Sequence, residues 1–295
     1  MFIEMILPRL TRIKYHHPRY QGEREPIQPT PYLTYPFRKA DLARVPIRAR
    51  QPDITRKIDY EISEGWWYSK EVRVFFLPRP IRHAAVDFAL PYGFPVAAPC
   101  DGFALSSYYS YPILDSHGNP RIRDGKMLNF GLGYFVQIYN HKHKRFVQLG
   151  HLSDVGEQIP FSIPVKKEGR WQPTNHIQTP EEIMSEGNQS VIFVKTGETI
   201  GFVGYSGLAY EEDYKEGYDR PYKIDPKLVG TPTIPHVHLD EFQRNYQTGQ
   251  KDWRRDPFDI YSFKENYPTH RNGKDIGKEP LFLTDRNNLP LFADS

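Results

Sequence analysis

Short runs that alternate hydrophobic and polar residues dominate the chain from about residue 70 onward. They are rich in valine, isoleucine, phenylalanine and tyrosine, and turn residues separate them, as in short β-strands. The runs are VRVFFL (72–77), FPVAA (94–98), GFALSSYY (102–109), YFVQIY (134–139), RFVQLG (145–150), VIFV (191–194) and TIGFVG (199–204). NHKHK joins the fourth run to the fifth and predicts a polar hairpin tip. With no long amphipathic helix and no repeat, the pattern predicts a mainly β fold, a compact antiparallel sheet or sandwich.

Proline and polar residues divide the rest of the chain. The first 65 residues predict an extended basic arm, because proline removes hydrogen-bond donors and breaks regular elements; its prolines are Pro8, Pro18, Pro26, Pro29, Pro31, Pro36, Pro46 and Pro52. Residues 66–265 form the predicted main domain, and 266–295 form a C-terminal tail expected on the surface. Two polar excursions, 156–190 and 208–234, are long enough to act as lids or groove walls.

Charge and composition narrow the classes of protein. The net charge is +3, yet residues 1–60 carry 12 lysines and arginines against 6 aspartates and glutamates. This arm could steer the protein to an anionic polymer, or lie solvated over the main domain. The single cysteine, Cys100, excludes an internal disulfide and is expected to be a buried hydrophobe. No membrane span is expected, and the start, with its early Glu4, makes a poor secretory signal.

The candidate chemistry starts from PHVHLD (235–240). Side chains two apart on a strand share one face, so His236 and His238 point to one spot, which could hold a metal, a substrate or packed neighbours. His83, Asp87 and His151 also lie within or at the end of β runs. Imidazole and carboxylate are normal zinc ligands, and a catalytic zinc keeps three of them and leaves a position for water. The remaining histidines could move protons or stabilise an oxyanion.

A second His-x-His pair serves as an internal comparison. His141 and His143 are flanked by Lys142 and Lys144, whose positive charge opposes a bound dication, so we expect this pair to be solvated. The sequence contains no HExxH, no CxxC pair, no glycine-rich phosphate loop and no GxSxG motif. Several other classes of enzyme are thereby excluded.

Four blocks, in order over residues 80 to 245, resemble the lysostaphin-type zinc metallopeptidases that cut peptidoglycan peptides. The blocks are HAAVDFALPYGFPVAAPCDGFA, GYFVQIYNHKHKRFVQLGHLSDV, GETIGFVGYSGLA and HVHLDEF. Two features depart from the family's pattern. Ala85 replaces the glycine of His-x-Gly-x-Asp, and residues 208–234 separate the last two blocks. Substrate preference is therefore not inherited from the resemblance.

The resemblance implies a zinc site with the ligands His83, Asp87 and His238, one zinc ion per chain, and catalytic roles for His151 and His236. It implies a compact, mainly antiparallel β fold with the site in a groove between loops. The expected reaction is hydrolysis of peptide bonds in peptidoglycan stem peptides or cross-bridges through a zinc-bound water. The division of base and acid between the two catalytic histidines stays open. The expected location is periplasmic, extracellular or phage-associated.

Two other functions stay open at this point. The chain could be an inactive relative that binds the wall or regulates other wall enzymes, with its groove blocked by the excursions. It could also be a structural component of a phage or cell surface, tied to an assembly by the basic arm. Nucleic acid is not an expected partner, because the basic excess lies in the arm and no recognition motif follows it.

Overall fold

The structure is a computed structural model of the chain. It describes residues 31–44, 61–64, 85–123, 125–167, 169–173, 178–207, 214, 235–244, 246, 251–255, 281–286 and 290–295, so the run VRVFFL (72–77) lies outside the described residues. Two one-turn helices occur in these ranges, α1 (Lys39–Leu42) and α2 (Pro180–Ile183). No helix in the described part of the chain is long and apolar enough to cross a membrane.

The strands confirm the prediction of a mainly β, antiparallel fold. Their bounds are β1 (Glu61–Glu64), β2 (Val86–Ala89), β3 (Pro95–Ala97), β4 (Gly102–Pro112), β5 (Ile122–Arg123), β6 (Lys126–Met127), β7 (Asn129–Asn140), β8 (Arg145–Val155), β9 (Val165–Lys167), β10 (Arg170–Gln172), β11 (Ile192–Val194), β12 (Thr199–Val203), β13 (His236–Arg244) and β14 (Lys251–Arg255). The hairpin also forms as predicted, since β7 and β8 pair up to Asn140 and Arg145, on either side of the polar tip.

One large sheet contains most of these strands, in the order β1-β2-β13-β8-β7-β4-β10-β9. Off this path, β12 pairs with both β3 and β8, β11 pairs with β4, and β14 pairs with β13. Strand β13, which contains the last of the four sequence blocks, thus lies between β2 and β8, which come much earlier in the chain. This order brings the first, second and last of the four blocks side by side.

The alternation along the strands separates the two faces of the sheet. One face forms the main hydrophobic core, which includes Phe88, Val136, Leu149, Val237 and Leu239. The opposite face carries Asp87 and His238 and, farther along the same strands, a smaller cluster of Tyr139, Phe146 and Phe242. Ile183 of α2 and Val191 pack against that smaller cluster. The first excursion therefore covers, through Ile183, the end of this face that lies away from Asp87 and His238.

Both ends of the described chain enter the main core. Leu33 and Phe37 are fully buried, and so are Leu281 and Phe282 from the predicted tail. Leu33 forms a parallel bridge with Phe282, and the Tyr35 N–H donates to the Leu291 carbonyl. The expectation that the tail lies on the surface is wrong for Leu281 and Phe282, because these apolar side chains complete the core. The boundaries at residues 65 and 265 stay predictions.

Candidate metal centre

The register of three neighbouring strands assembles the candidate site. Asp87 of β2 lies directly opposite His238 of β13. On the other side of β13, Gly150 of β8 is the partner of His238, which brings the next residue, His151, to the same place. Residues two apart on a strand share a face, so His236 lies on the same side as His238.

The Asp87 carboxylate lies between the two histidines of β13. Its Oδ1 accepts a hydrogen bond from His238 Nδ1 at 2.9 Å, and its Oδ2 lies 3.6 Å from His236 Nε2. Asp87 and His236 are buried, and His238 is partly buried. A carboxylate held away from water needs such polar partners, since an unpaired buried charge is costly.

His151 reaches the site through an irregularity in β8. The pairing of β7 with β8 shifts register between Tyr134 and Val136, opposite the segment that contains His151, and His151 has a φ of 60°. A β-bulge of this kind redirects a side chain. The strand continues to Val155, so His151 lies inside β8 and not at its end as the sequence suggested. Its ring centroid lies 4.7 Å from that of His236 and 5.6 Å from that of His238.

A backbone carbonyl fixes the protonation pattern of the His151 ring. His151 Nδ1 lies 2.9 Å from the Ser206 carbonyl oxygen. A carbonyl oxygen only accepts, so Nδ1 carries the hydrogen and Nε2 presents a lone pair. Burial lowers the pKa of His151 well below its usual range, and the neighbouring His236 and His238 lower this pKa further. The His151 imidazole is therefore neutral at neutral pH.

Ser206 is held by an unusually close backbone contact. Its Oγ accepts a hydrogen bond from the Tyr134 N–H at 2.8 Å. Gly133, with a φ of 60°, leaves no room for a side chain, because a Cβ there would lie 2.1 Å from the Ser206 carbonyl carbon. The sequence reasoning did not identify Ser206 or Gly133 as supports of the site. The glycine-rich run around GYSG was the signal that could have indicated the close approach.

Histidine and aspartate, the residue types at this site, are normal zinc ligands. In the described part of the chain, however, no group of three or more His, Cys, Asp or Glu is arranged so that it could hold a metal. One predicted ligand, His83, lies outside the described residues. The other two, Asp87 and His238, face each other at 2.9 Å. Two ligand atoms of a tetrahedral zinc ion lie about 3.3 Å apart. The facing atoms of Asp87 and His238 would therefore have to move only slightly to hold a metal in place of the shared proton.

The other charged and histidine side chains nearby have different surroundings. Asp240 lies on the same face two residues after His238, but its Oδ2 is 2.6 Å from Lys251 Nζ in an ion pair. At the hairpin tip, His141 is exposed, as the sequence predicted for both histidines there. His143 is only partly exposed, and it stacks on Tyr32 with the ring centroids 4.3 Å apart.

Comparison with known proteins gives distant structural likenesses. No family model and no curated protein matches the chain. Among solved structures, a zinc-containing peptidase from Vibrio cholerae is 18% identical, with 72% of this chain and 36% of that chain covered and a TM-score of 0.31. The catalytic domain of lysostaphin from Staphylococcus simulans is 15% identical, with 65% and 89% covered and a TM-score of 0.32. The catalytic domain of a prophage-encoded M23 protein from Enterococcus faecalis is 16% identical, with 69% and 92% covered and a TM-score of 0.31. Likenesses of this size do not assign a family.

Proposed function

We propose that the chain is a zinc-dependent endopeptidase that hydrolyses peptide bonds in peptidoglycan stem peptides or cross-bridges. One observation carries the proposal: three histidine rings and one carboxylate, from strands β2, β8 and β13, lie in contact with one another. The substrate class rests on the four sequence blocks that resemble the lysostaphin-type enzymes. A wall substrate implies a periplasmic, extracellular or phage-associated location.

In this proposal, Asp87 and His238 hold the zinc ion together with His83. Zinc, when bound, supplies Lewis acidity, which lowers the pKa of a water molecule and polarises an amide carbonyl. The hydrogen bond between His238 Nδ1 and Asp87 Oδ1 keeps both donor atoms oriented toward each other before the metal arrives. To hold a metal through Nδ1, the neutral His238 ring would have to carry its hydrogen on Nε2, because a histidine ligand binds through an unprotonated nitrogen.

His151 and His236 carry the proton transfers. His151 presents Nε2 as an acceptor, because its Nδ1 donates to the Ser206 carbonyl. His236 is also buried, and the close contact of the two rings places both side chains at the same part of the site. Together they can accept a proton from the attacking water, return it to the leaving amine and stabilise the tetrahedral oxyanion.

The first test is the metal content of the purified protein and of two variants, by elemental analysis after zinc supplementation. We expect about one zinc per chain in the parent and its loss in His238→Ala. The control is His141→Ala, which changes the same residue type in the exposed His-x-His pair and is expected to keep the metal. Peptidoglycan digestion by the parent, with loss in His151→Ala and His236→Ala while zinc is retained, would complete the assignment.

Other results would redirect the assignment. A parent without zinc would mean that these residues do not form a metal centre, and would favour the wall-binding or regulatory function. Retention of zinc in His238→Ala would place the metal elsewhere. Zinc binding without digestion of any peptidoglycan would keep the metal centre and remove the substrate class.

A further inference from the structure

A pair of partly exposed tyrosines lies beside the candidate centre. Tyr92 and Tyr205 stack with their ring centroids 5.4 Å apart and an interplanar angle of 26°. Tyr92 is 39% exposed, so part of the pair is accessible to a ligand. Exposed aromatic rings with a fixed orientation are suited to binding, because little conformational entropy is lost when a ligand contacts them.

The backbone connects this pair directly to the site residues. Gly204, which precedes Tyr205, forms an antiparallel bridge with His236. Ser206, which follows Tyr205, holds His151 through its carbonyl. Tyr92 lies on the turn after β2, the strand that carries Asp87, and its side chain is hydrogen-bonded to Ser153. Both tyrosines therefore belong to segments that are in direct contact with the histidine residues or with the strand of Asp87.

A carboxylate lies near the pair, since Asp154 follows Ser153 in β8 and pairs with Phe202 of β12, three residues before Tyr205. Burial raises the pKa of Tyr92, a hydrogen bond with Ser153 lowers it, and the nearby Asp154 carboxylate raises it. Burial also raises the pKa of Tyr205, and so does Tyr92. A second partly exposed tyrosine pair, Tyr109 and Tyr111, has different surroundings. Burial raises the pKa of both hydroxyls, and the positive charge of the nearby Arg170 lowers it.

We propose that Tyr92, Tyr205 and Asp154 form a subsite for an ammonium group carried by the substrate peptide close to the bond that is hydrolysed. Aromatic faces attract cations through their quadrupole, and the carboxylate adds to that attraction. The carboxylate repels an anionic group, and an uncharged group lacks the attraction between opposite charges. This inference rests on the proposed peptidase function for its substrate, and it adds the chemistry that the substrate must present.

The test compares two synthetic peptidoglycan peptides that differ only in one side chain, lysine in one and Nε-acetyllysine in the other, with this residue placed in turn on either side of the cleaved bond. The measured quantity is the ratio of kcat/KM for the two peptides. This ratio does not depend on how much of a preparation is folded. We expect the parent to prefer the lysine peptide, and Tyr205→Leu, Tyr92→Leu and Asp154→Asn each to reduce the preference about two- to fivefold.

Two controls separate the subsite from general packing. Tyr205→Phe keeps the ring and is expected to keep the preference. Tyr111→Leu changes a tyrosine of the pair beside Arg170 and is also expected to keep it. A parent that cleaves both peptides equally at every position, or a preference that survives Tyr205→Leu, Tyr92→Leu and Asp154→Asn, would overturn the proposal.

A failure of the peptidase function gives a different result. If the parent cleaves neither peptide, calorimetric titration with the same two peptides measures the subsite directly. Tighter binding of the lysine peptide that is lost in Tyr205→Leu supports the subsite without catalysis. Equal binding of the two peptides, or binding of neither, overturns it.

Discussion

At the scale of single residues, the position of His151 depends on groups that carry no chemistry of their own. The Ser206 carbonyl holds the His151 ring, and Ser206 is in turn held by Tyr134 and packed on Gly133. His151 also adopts a φ of 60°, which is unfavourable for a residue with a side chain. The surrounding contacts must compensate for this strain, so the site is sensitive to changes beneath it.

Gly133→Ala tests this dependence. A Cβ at residue 133 would lie 2.1 Å from the Ser206 carbonyl carbon, so Ser206 must shift, and its carbonyl is the group that holds His151. We expect the variant to lose most of any peptidase activity. We also expect its free energy of unfolding, measured with urea, to fall by about 1–3 kcal/mol beyond the cost of the positive φ.

Gly118→Ala is the matched control for that measurement. Gly118 also has a positive φ, 84°, but nothing lies within 4 Å of a Cβ placed there. The Gly118→Ala variant should lose only the unfolding free energy that an alanine costs at a positive φ, about 1–2 kcal/mol, and should keep its activity. Equal effects of the two substitutions would show that the contact with Ser206 has no special role.

Cys100 gives a prediction about reactivity. The side chain is buried, and burial raises the pKa of its thiol to about 12. At pH 8 only roughly one thiol in ten thousand is then ionised, and the thiolate is the reactive form. We expect no reaction with a thiol reagent in the native protein and complete reaction in 6 M guanidinium chloride, followed by absorbance. Rapid reaction of the native protein would contradict the buried position.

Part of the arrangement of the candidate residues was predictable from the sequence, but its support was not. Spacing indicated that His236 and His238 share a face, and the register of β2 with β13 brings Asp87 opposite His238. The roles of these residues stay predictions. The bulge at His151 depends on how β8 pairs with β7, and the contact between Gly133 and Ser206 joins segments about 70 residues apart. Local sequence patterns contain neither feature.

At the scale of elements, a buried ion pair links two strands on the core side of the sheet. Arg145 of β8 donates two hydrogen bonds of 2.6 Å to Glu241 of β13, and both side chains are fully buried. The Tyr32 hydroxyl donates to the same carboxylate at 2.9 Å. Each of these charges depends on the other, because neither reaches water.

A double-mutant cycle at this pair has a clear expected sign. Glu241→Leu leaves the Arg145 charge buried without its partner and should cost about 3–5 kcal/mol of unfolding free energy. The double variant Arg145→Met with Glu241→Leu removes both charges and should be more stable than Glu241→Leu alone. Urea unfolding of all four proteins measures the coupling. Additive losses would mean that the two charges do not depend on each other.

Strands were easier to predict than the excursions between them. Alternating runs gave the positions of β4, β7, β8, β11 and β12, because a half-buried strand must alternate. Helix α2, inside the first excursion, was not predicted. Its signal was present, since Thr179 and Glu182 form a capping box with Pro180 at the first helical position. A helix of one turn gives too short a periodic pattern to stand out.

At the scale of the whole molecule, the first and last segments that the structure describes, 31–44 and 290–295, contact each other. The Asp294 carboxylate accepts hydrogen bonds from the N–H groups of Lys39 and Ala40, at 2.8 and 3.1 Å. Tyr35 contacts the rings of both Phe282 and Phe292. The proline content suggested an arm, but it cannot show that apolar residues between the prolines are buried by partners about 250 residues away.

The burial of this N-terminal segment bears on whether it could be a removable propeptide. Phe37 is fully buried and packs edge-on against Phe88, in the strand that carries Asp87. Phe37→Ala should therefore cost about 3–5 kcal/mol of unfolding free energy. Arg44→Ala, at a side chain that is 82% exposed, should change it by less than about 0.5 kcal/mol.

A chain that begins at residue 45 extends the same argument to the whole segment. It lacks the buried side chains of Leu33, Tyr35, Phe37 and Leu42, and it exposes the aromatic residues that they cover. We expect it to lack the cooperative thermal transition of the parent and to bind no zinc, since the strand of Asp87 loses its support. A cooperative, zinc-binding product would instead mean that the segment is dispensable and could be removed to activate the protein.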